Sequence, residues 1–379
     1  MIAKGLKKLG LGQVAYRLAA PVYSAKYKQR ASGSPEEAMA LLRETSPDIG
    51  SSCHIPRRQS PAGPAAELDI IVPAYNVEKY IGQCVTSVLE QETKHRFRLI
   101  VIDDGSTDAT GSILDSFQGL TVIHQENRGF SGARNRGLEL ANADYLMFLD
   151  SDDCLCPGAI ESLMDAAIAH DAWIVEGNYT EVDTEGQVIR RHSHKAGALD
   201  PVQDCEGYVW GKVIRRELFF ELAFPKDYWY QDSIMRQIVL PLVKNQDKTV
   251  WGVEDSVVLY RQNPGGITKK SRSRGKSLDS LYITMHLFRD RQIFGLPLTE
   301  TYYDYLLSMA VQTYSRTHLQ SGDVQQAIFT VYADFLQRNF PDWHPGDRRL
   351  ACLEKAMRSG NYGSYLAYCK VQFTRDYTG

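Results

Sequence analysis

Asp150, Asp152 and Asp153, with Ser151 after the first, crowd three carboxylates into four residues, directly behind the apolar run Ala143 to Leu149 and just ahead of Pro157. Two bare carboxylates ~4 Å apart repel by up to ~4 kcal/mol at an effective dielectric of ~20. A divalent cation removes that repulsion. Hard ions such as Mg²⁺ or Mn²⁺ take oxygen ligands and are held by one or two protein carboxylates together with substrate phosphates. The cluster therefore points to a nucleotide or a sugar nucleotide as ligand. Taken alone, an Asp-x-Asp turn reads more simply as an acidic, solvated loop.

Two earlier segments give it weight. Leu68 to Val72 is an apolar run stopped by Pro73, then Ala74-Tyr75-Asn76 and a helical pattern at Ile81, Val85, Val88 and Leu89. Leu99 to Ile102 is a second such run, ending in Asp103-Asp104-Gly105-Ser106-Thr107-Asp108, with Ile113, Leu114 and Phe117 on the helix that follows. Short continuous apolar runs alternating with amphipathic helices indicate parallel βαβ units. The polar motifs then gather at the carboxyl ends of strands, where open α/β sheets bind ligands.

On these residues the chain resembles the family 2 glycosyltransferases, over roughly Asp69 to Thr268, about half its length. The resemblance implies an α/β, GT-A, Rossmann-like mixed sheet flanked by helices, and an inverting, non-processive enzyme using a UDP-sugar. By that resemblance Pro73 and Tyr75 lie at the nucleotide base and Asp104 accepts a hydrogen bond from the uracil, with Asp103 beside it. Asn127-Arg128-Gly129-Phe130-Ser131-Gly132-Ala133-Arg134-Asn135 resembles the family's glycine-rich stretch next to the nucleotide, which brings in Gly129, Arg134 and Asn135. Asp150 and Ser151 would hold the ribose side, and Asp152 the Mg²⁺ or Mn²⁺ that bridges the diphosphate. An aromatic face suits a base, and glycines let backbone amides approach an anion. The bland alternatives are that Tyr75 caps the sheet, Asp103 pairs with a structural arginine, and Arg134 is a helix-surface charge.

Transfer with inversion needs a base within hydrogen-bond reach of the acceptor hydroxyl. Trp210-Gly211-Lys212, then Tyr230-Gln231-Asp232-Ser233, resembles the family's acceptor half, in which an aspartate after a glutamate acts as base; Asp232 matches it. Gln231 stands where the family commonly has glutamate, and losing that like charge lowers the pKa of Asp232. The alternative role of Asp232 is to cap a helix from Ser233 to Leu242. Val257 to Thr268 resembles the closing strand and loop, where Gly265-Gly266 with Lys269 and Lys270 reads as a lid over the diphosphate or as an ordinary turn.

The chain has 379 residues, enough for two domains, and a formal charge of -3 gives no sign of nucleic-acid binding. No run of ~20 apolar residues is present, so the expectation is a cytoplasmic protein without a membrane span. Seven cysteines in no regular framework fit reduced thiols. Cys154 and Cys156, and His192 and His194, form close pairs that nothing in their spacing brings together as a zinc site.

The expected organisation has three parts. Residues 1–66 form a basic extension and linker with one short helix from Pro35 to Arg43, residues 67–270 the catalytic domain, and residues 271–379 a C-terminal helical subdomain. Within 1–30 lie Lys4, Lys7, Lys8, Arg17, Lys26, Lys28 and Arg30 with no acidic residue, a pattern that suits peripheral contact with an anionic membrane. Apolar stripes predict helices around 278–288, 302–313, 324–335 and 348–357. The acceptor implied is a glycan or lipid-linked saccharide of surface polysaccharide biosynthesis. A catalytically inactive homologue that binds nucleotide sugar is the competing reading.

Overall fold

The computed structural model describes residues 12–27, 33–59, 61, 66–266 and 275–376. The described residues fall into two compact units, one made of 51–266 with 286–296, the other from within 1–50, 267–285 and 297–379.

The first unit is built on a mixed sheet of ten strands: β1 Leu68–Ala74, β2 Phe97–Asp103, β3 Leu120–His124, β4 Tyr145–Phe148, β5 Cys154–Leu155, β6 Ile174–Val182, β7 Val188–His192, β8 Gly197–Ala198, β9 Lys212–Arg215 and β10 Val250–Arg261. Their order is β3-β2-β1-β4-β9-β6-β10-β5, with β7 on β6 and β8 on β10. The strands β3, β2, β1 and β4 are mutually parallel, while β9 runs antiparallel to both β4 and β6. All seven residues of β1 are buried, as expected of a strand covered on both faces. In β2, Leu99 and Val101 face the main core, whose helices are Ile81–Leu89 and Ala159–Ala169. Ile100 and Ile102 face Ala133 of the helix Gly129–Leu140 on the other side. The carboxyl ends of β1, β2 and β4 consequently share one edge.

Pro73 lies in the middle of this sheet, where a missing N–H is normally harmful. Its neighbours explain the tolerance. The Ile71 carbonyl accepts from Leu149 on the β4 side, and Ala74 accepts from Asp104 on the β2 side. Pro73 thus faces β4 one step beyond Ile71–Phe148, the last pair of that ladder, so no strand bond is lost.

The second unit is helical. Gly12–Tyr27 packs on Tyr362–Asp376 and Pro35–Thr45 on Gly322–Asn339. Gly363 permits the first of these pairings, since a Cβ there would lie 2.6 Å from the Ser24 backbone. Ser34 and Glu37 form a reciprocal capping box that starts the helix Pro35–Thr45. The apolar stripes correspond to Asp279–Ile293, Glu300–Thr317, Gly322–Asn339 and Ala351–Arg358, and Tyr362–Asp376 is an additional helix that the stripes do not predict. No helix among the described residues is long and apolar enough to cross a membrane.

Candidate active site

At the end of β1 the chain turns out through Tyr75, whose ring is 45% exposed, into Asn76, which takes a left-handed φ of 50°. Asn76 is stitched to the loop after β2: its amide donates to Ser106 Oγ at 3.1 Å and its side-chain oxygen accepts from the Thr107 amide at 2.7 Å. Glu78 and Asp108 exchange similar bonds, 3.0 Å from the Ala109 amide to Glu78 and 3.1 Å from the Glu78 amide to Asp108. These bonds tie the two loops together next to Tyr75.

Asp103 and Asp104 divide their work. Asp103 is buried, accepting from the Ser106 amide at 3.1 Å and pairing with His124 Nδ1 at 2.8 Å. That partnership, with help from Asp115, raises the His124 pKa above its ordinary 6.5. The structural arginine weighed for Asp103 in fact belongs to Asp69, which Arg98 grips at 2.7 and 2.8 Å. Asp104 uses Oδ1 to accept from Gln125 Nε2 at 2.7 Å and the Arg128 amide at 2.8 Å, and no hydrogen bond from the described residues falls on its Oδ2. Gly105, at φ 75°, must be glycine because a Cβ would sit 2.9 Å from the Asn127 amide nitrogen.

The acidic turn after β4 is held differently at each carboxylate. Asp150 accepts from Arg134 Nη2 at 2.6 Å. Asp152 accepts from Asn263 Nδ2 on Oδ2 at 2.9 Å, and burial, then the charge of Asp150, pushes its pKa up. Asp153 points inward, accepting the Arg261 amide at 2.7 Å, while its buried Oδ2 has no partner among the described residues; burial and then its two acidic neighbours raise its pKa well above the carboxylate range. Ser151 is buried between them. The turn is clamped from β10 by the Arg261 guanidinium, which donates to the Asp152 carbonyl at 3.0 Å, the Thr184 carbonyl at 3.1 Å and Gln83 Oε1 at 2.8 Å, and lies over the Tyr80 ring. The oxygen donors of this turn are of the type that a hard divalent cation takes.

Arg134 is the centre of the arrangement. It is 2% exposed and sits between the rings of Phe130 and Phe224, at 5.7 and 5.4 Å. Its Nη2 holds Asp150, its Nη1 lies 3.6 Å from Asp232 Oδ1, and neither Nε nor Nη1 has a hydrogen-bond partner among the described residues. The surface-charge alternative for this residue does not describe it. Its neighbour Asn135 pins the opposing loop, pairing its amide with both backbone groups of Phe224 at 2.8 and 2.9 Å, so its side chain is committed to the scaffold. Gly129, at φ 70°, lets the helix start at that point.

Asp232 is 38% exposed, whereas the Gln231 side chain is tucked in. Both follow Tyr230, a non-glycine residue at φ 64°. The helix after Asp232 opens with a wide π turn, Met235–Val239, because Pro241 has no N–H and its ring crowds the carbonyl of Gln237. Arg291 Nη1 donates to that carbonyl at 2.5 Å. Tyr75, Asp104, Asp150, Asp152, Arg134 and Asp232 thus line the strand ends of one unit, while Asp103, Asn135 and Asp153 serve as its inner supports. Arg261 and the bridging position of Arg134 escape sequence reasoning, because a lone arginine carries no spacing signal.

Lys269 and Lys270 lie outside the described residues. None of the seven cysteines is in a disulfide. His192 and His194 face carboxylates, Glu181 at 2.9 Å and Glu176 at 3.8 Å. Among the described residues one triad, His95, Glu161 and Asp165, brings metal-type ligand atoms within 4.8 Å. Lys94 Nζ already neutralises it, at 3.2 Å from Glu161 and 2.7 Å from Asp165.

Residues 69–228 match the family model of glycosyl transferase family 2. The chain is 31% identical over 202 residues to TuaG of Bacillus subtilis, a candidate glycosyltransferase of teichuronic acid biosynthesis, covering 51% of this chain and 78% of that one. It is 31% identical over 224 residues to the glycosyltransferase GlyA of Streptococcus pneumoniae, covering 54% of this chain but only 32% of GlyA. Its fold is similar to that of S. aureus TarS 1–349 in complex with UDP-GlcNAc, with a TM-score of 0.61, 19% identity, and coverage of 82% of this chain and 91% of that one. With its GT-A sheet and the relationship to TuaG, the chain belongs to glycosyl transferase family 2 and is a glycosyltransferase.

Proposed function

We propose that the protein transfers a sugar from a UDP-sugar, with inversion, to a glycan or lipid-linked acceptor in surface polysaccharide biosynthesis. The UDP-GlcNAc bound to TarS and the teichuronic acid assignment of TuaG support the donor and the pathway class. The observation that carries the reading is the one guanidinium, Arg134, spanning the acidic turn at Asp150 and the exposed carboxylate of Asp232.

Tyr75 receives the uracil face and the open Oδ2 of Asp104 accepts its N–H. Asp150 and Ser151 border the ribose. Asp232 takes the proton from the acceptor hydroxyl as that oxygen bonds to the anomeric carbon. The bond from that carbon to the diphosphate breaks on the opposite face, its electron pair leaving with UDP. A divalent cation at Asp152 would supply charge stabilisation to the departing diphosphate. Arg134 Nη1, 3.6 Å from Asp232 Oδ1, draws that carboxylate toward the acidic turn and so aims it.

The helix Gly12–Tyr27 supports peripheral membrane contact on an anionic surface, because Leu18 and Val22 stand exposed one turn apart with the exposed Arg17 and Lys26 beside them.

The test is UDP release from a panel of UDP-sugars with Mn²⁺, comparing wild type with Asp152→Ala and Asp232→Asn. Turnover by wild type that falls at least ~100-fold in each variant is expected, the scale of general-base contributions. UDP binding without turnover of any donor would return the chain to the nucleotide-sugar-binding role.

A further inference from the structure

Gly207, just before Tyr208, packs against Arg236, four residues after Asp232, where a Cβ would lie 2.8 Å from Arg236 Cγ, and the wall that continues from it is aromatic. Tyr208, Trp210 and Tyr260 form a parallel stack, with centroids 4.6 Å apart at 8° between Tyr208 and Trp210, and 5.2 Å apart at 9° between Trp210 and Tyr260. Tyr179 stands edge-on to all three, at 85°, 88° and 84°, and is itself backed by the His192 ring at 4.2 Å. Three different segments supply these rings: β6 gives Tyr179, β10 gives Tyr260, and the approach to β9 gives Tyr208 and Trp210.

That approach is fixed from beneath. Lys212 and Glu176 form a buried ion pair at 2.8 Å, and the same Glu176 carboxylate accepts the Glu206 amide at 3.1 and 3.2 Å, two residues before Tyr208. A buried pair of this kind is a poor source of stability but a firm locator. The Trp-x-Lys spacing read in the sequence therefore places Trp210 in the stack and Lys212 under the loop that presents Tyr208.

The stack has two ends with different surroundings. Tyr260 lies in the field of Asp153, Asp150 and Asp152, at the acidic turn. Tyr208 lies in the field of Glu206, Glu181 and Asp232. Trp210 and Tyr179 are buried, but Tyr208 remains 37% exposed. Among the described residues its ring stacks on Trp210 alone, with Tyr179 at its edge, so its other face carries no aromatic partner.

We propose that Tyr208 is the stacking platform of the acceptor subsite, and that the group it delivers to Asp232 is an uncharged pyranose ring rather than a polyol phosphate. This rests on the glycosyl-transfer reading above. A rigid aromatic ring offers a large apolar surface at little entropic loss, and a pyranose presents an apolar C–H face to it while its hydroxyls stay free for Asp232. A polyol phosphate has no comparable apolar face to lay on the ring.

The experiment compares wild type with Tyr208→Ala, Tyr208→Phe and Tyr208→Trp, using the turned-over UDP-sugar donor. UDP release is measured without acceptor, with alkyl pyranosides, and with ribitol or glycerol phosphate. Tyr208→Ala is expected to raise the KM for pyranosides about tenfold, the ratio that ~1.4 kcal/mol of weaker binding produces. Circular dichroism and a thermal midpoint matching wild type show that the variant folds. The Phe and Trp variants should keep the wild-type KM. An unchanged pyranoside KM in Tyr208→Ala, or polyol phosphate used in preference to every pyranoside, overturns the proposal. Saturation-transfer NMR of the same pyranosides separates failure of the platform from failure of the glycosyl-transfer reading, because it needs no turnover. A pyranoside signal that is present with wild type and disappears with Tyr208→Ala upholds the platform even if no donor is consumed, and a signal that persists in the variant rejects it.

Discussion

Arg134 shows how much a single buried side chain can organise. A guanidinium with 2% exposure is desolvated at high cost unless charge and hydrogen bonds compensate. Here Asp150 compensates at 2.6 Å, two aromatic faces contribute cation–π attraction, and Asp232 adds a longer-range charge at 3.6 Å. The planar fork serves all of these partners at once, which an ammonium does not. Replacing it with methionine should therefore lower unfolding stability by about 3 kcal/mol, the low end of the range for breaking a buried pair, because Asp150 is partly exposed. Urea unfolding checks this, and a midpoint equal to wild type would show that the pair is not structural. Arg134→Lys should fall between the two, keeping the charge and losing the stacked fork.

At the scale of elements, the helix Gly129–Leu140 must press its backbone onto β1 to bring Arg134 to the strand ends. Gly137 is where it does so: a Cβ there would lie 2.3 Å from Ile71 Cγ2, in the central strand. Alanine normally favours a helix interior over glycine by about 0.8–1 kcal/mol, yet here it must displace a fully buried isoleucine. Overpacking outweighs propensity, so Gly137→Ala should destabilise by roughly 1–3 kcal/mol. A thermal midpoint at or above wild type would refute the close approach. The same element shows what the sequence could convey. The βαβ rhythm, the strand-end motifs and Asp152 were legible because buried strands and acidic turns leave contiguous patterns. The partners of those motifs were not, since Asp103 with His124, Asn135 with Phe224 and Arg134 with Asp232 join residues 21, 89 and 98 positions apart through pairings that no local period encodes. The helix Tyr362–Asp376 escaped for a related reason: its buried residues, Tyr362, Tyr365, Leu366, Ala367, Tyr368, Cys369 and Val371, include a consecutive run and tyrosines rather than a clean stripe of leucine and isoleucine.

At the scale of the whole molecule, the helix Gly12–Tyr27 and the chain's last helix share one unit, a pairing across more than 300 residues that a single sequence does not announce. Docking fixes which face of the first helix is turned outward. Ser24 bonds Asn361 at 3.1 Å and Ser364 at 2.9 Å, while Leu18 and Val22 remain 58% and 66% exposed. Single exposed apolar side chains need no explanation, but two on one helical face beside basic residues match a surface that settles into a headgroup layer. Insertion of each is worth about 1.5–3 kcal/mol of apolar transfer, and each cation near an anionic leaflet adds about 1 kcal/mol. The protein should therefore co-sediment with vesicles rich in anionic lipid. The double variant Leu18→Glu with Val22→Glu should lose at least tenfold in partitioning and keep its UDP release in solution. Equal binding to zwitterionic vesicles would remove the electrostatic half of this account, and undiminished binding by the double variant would remove the helix from it.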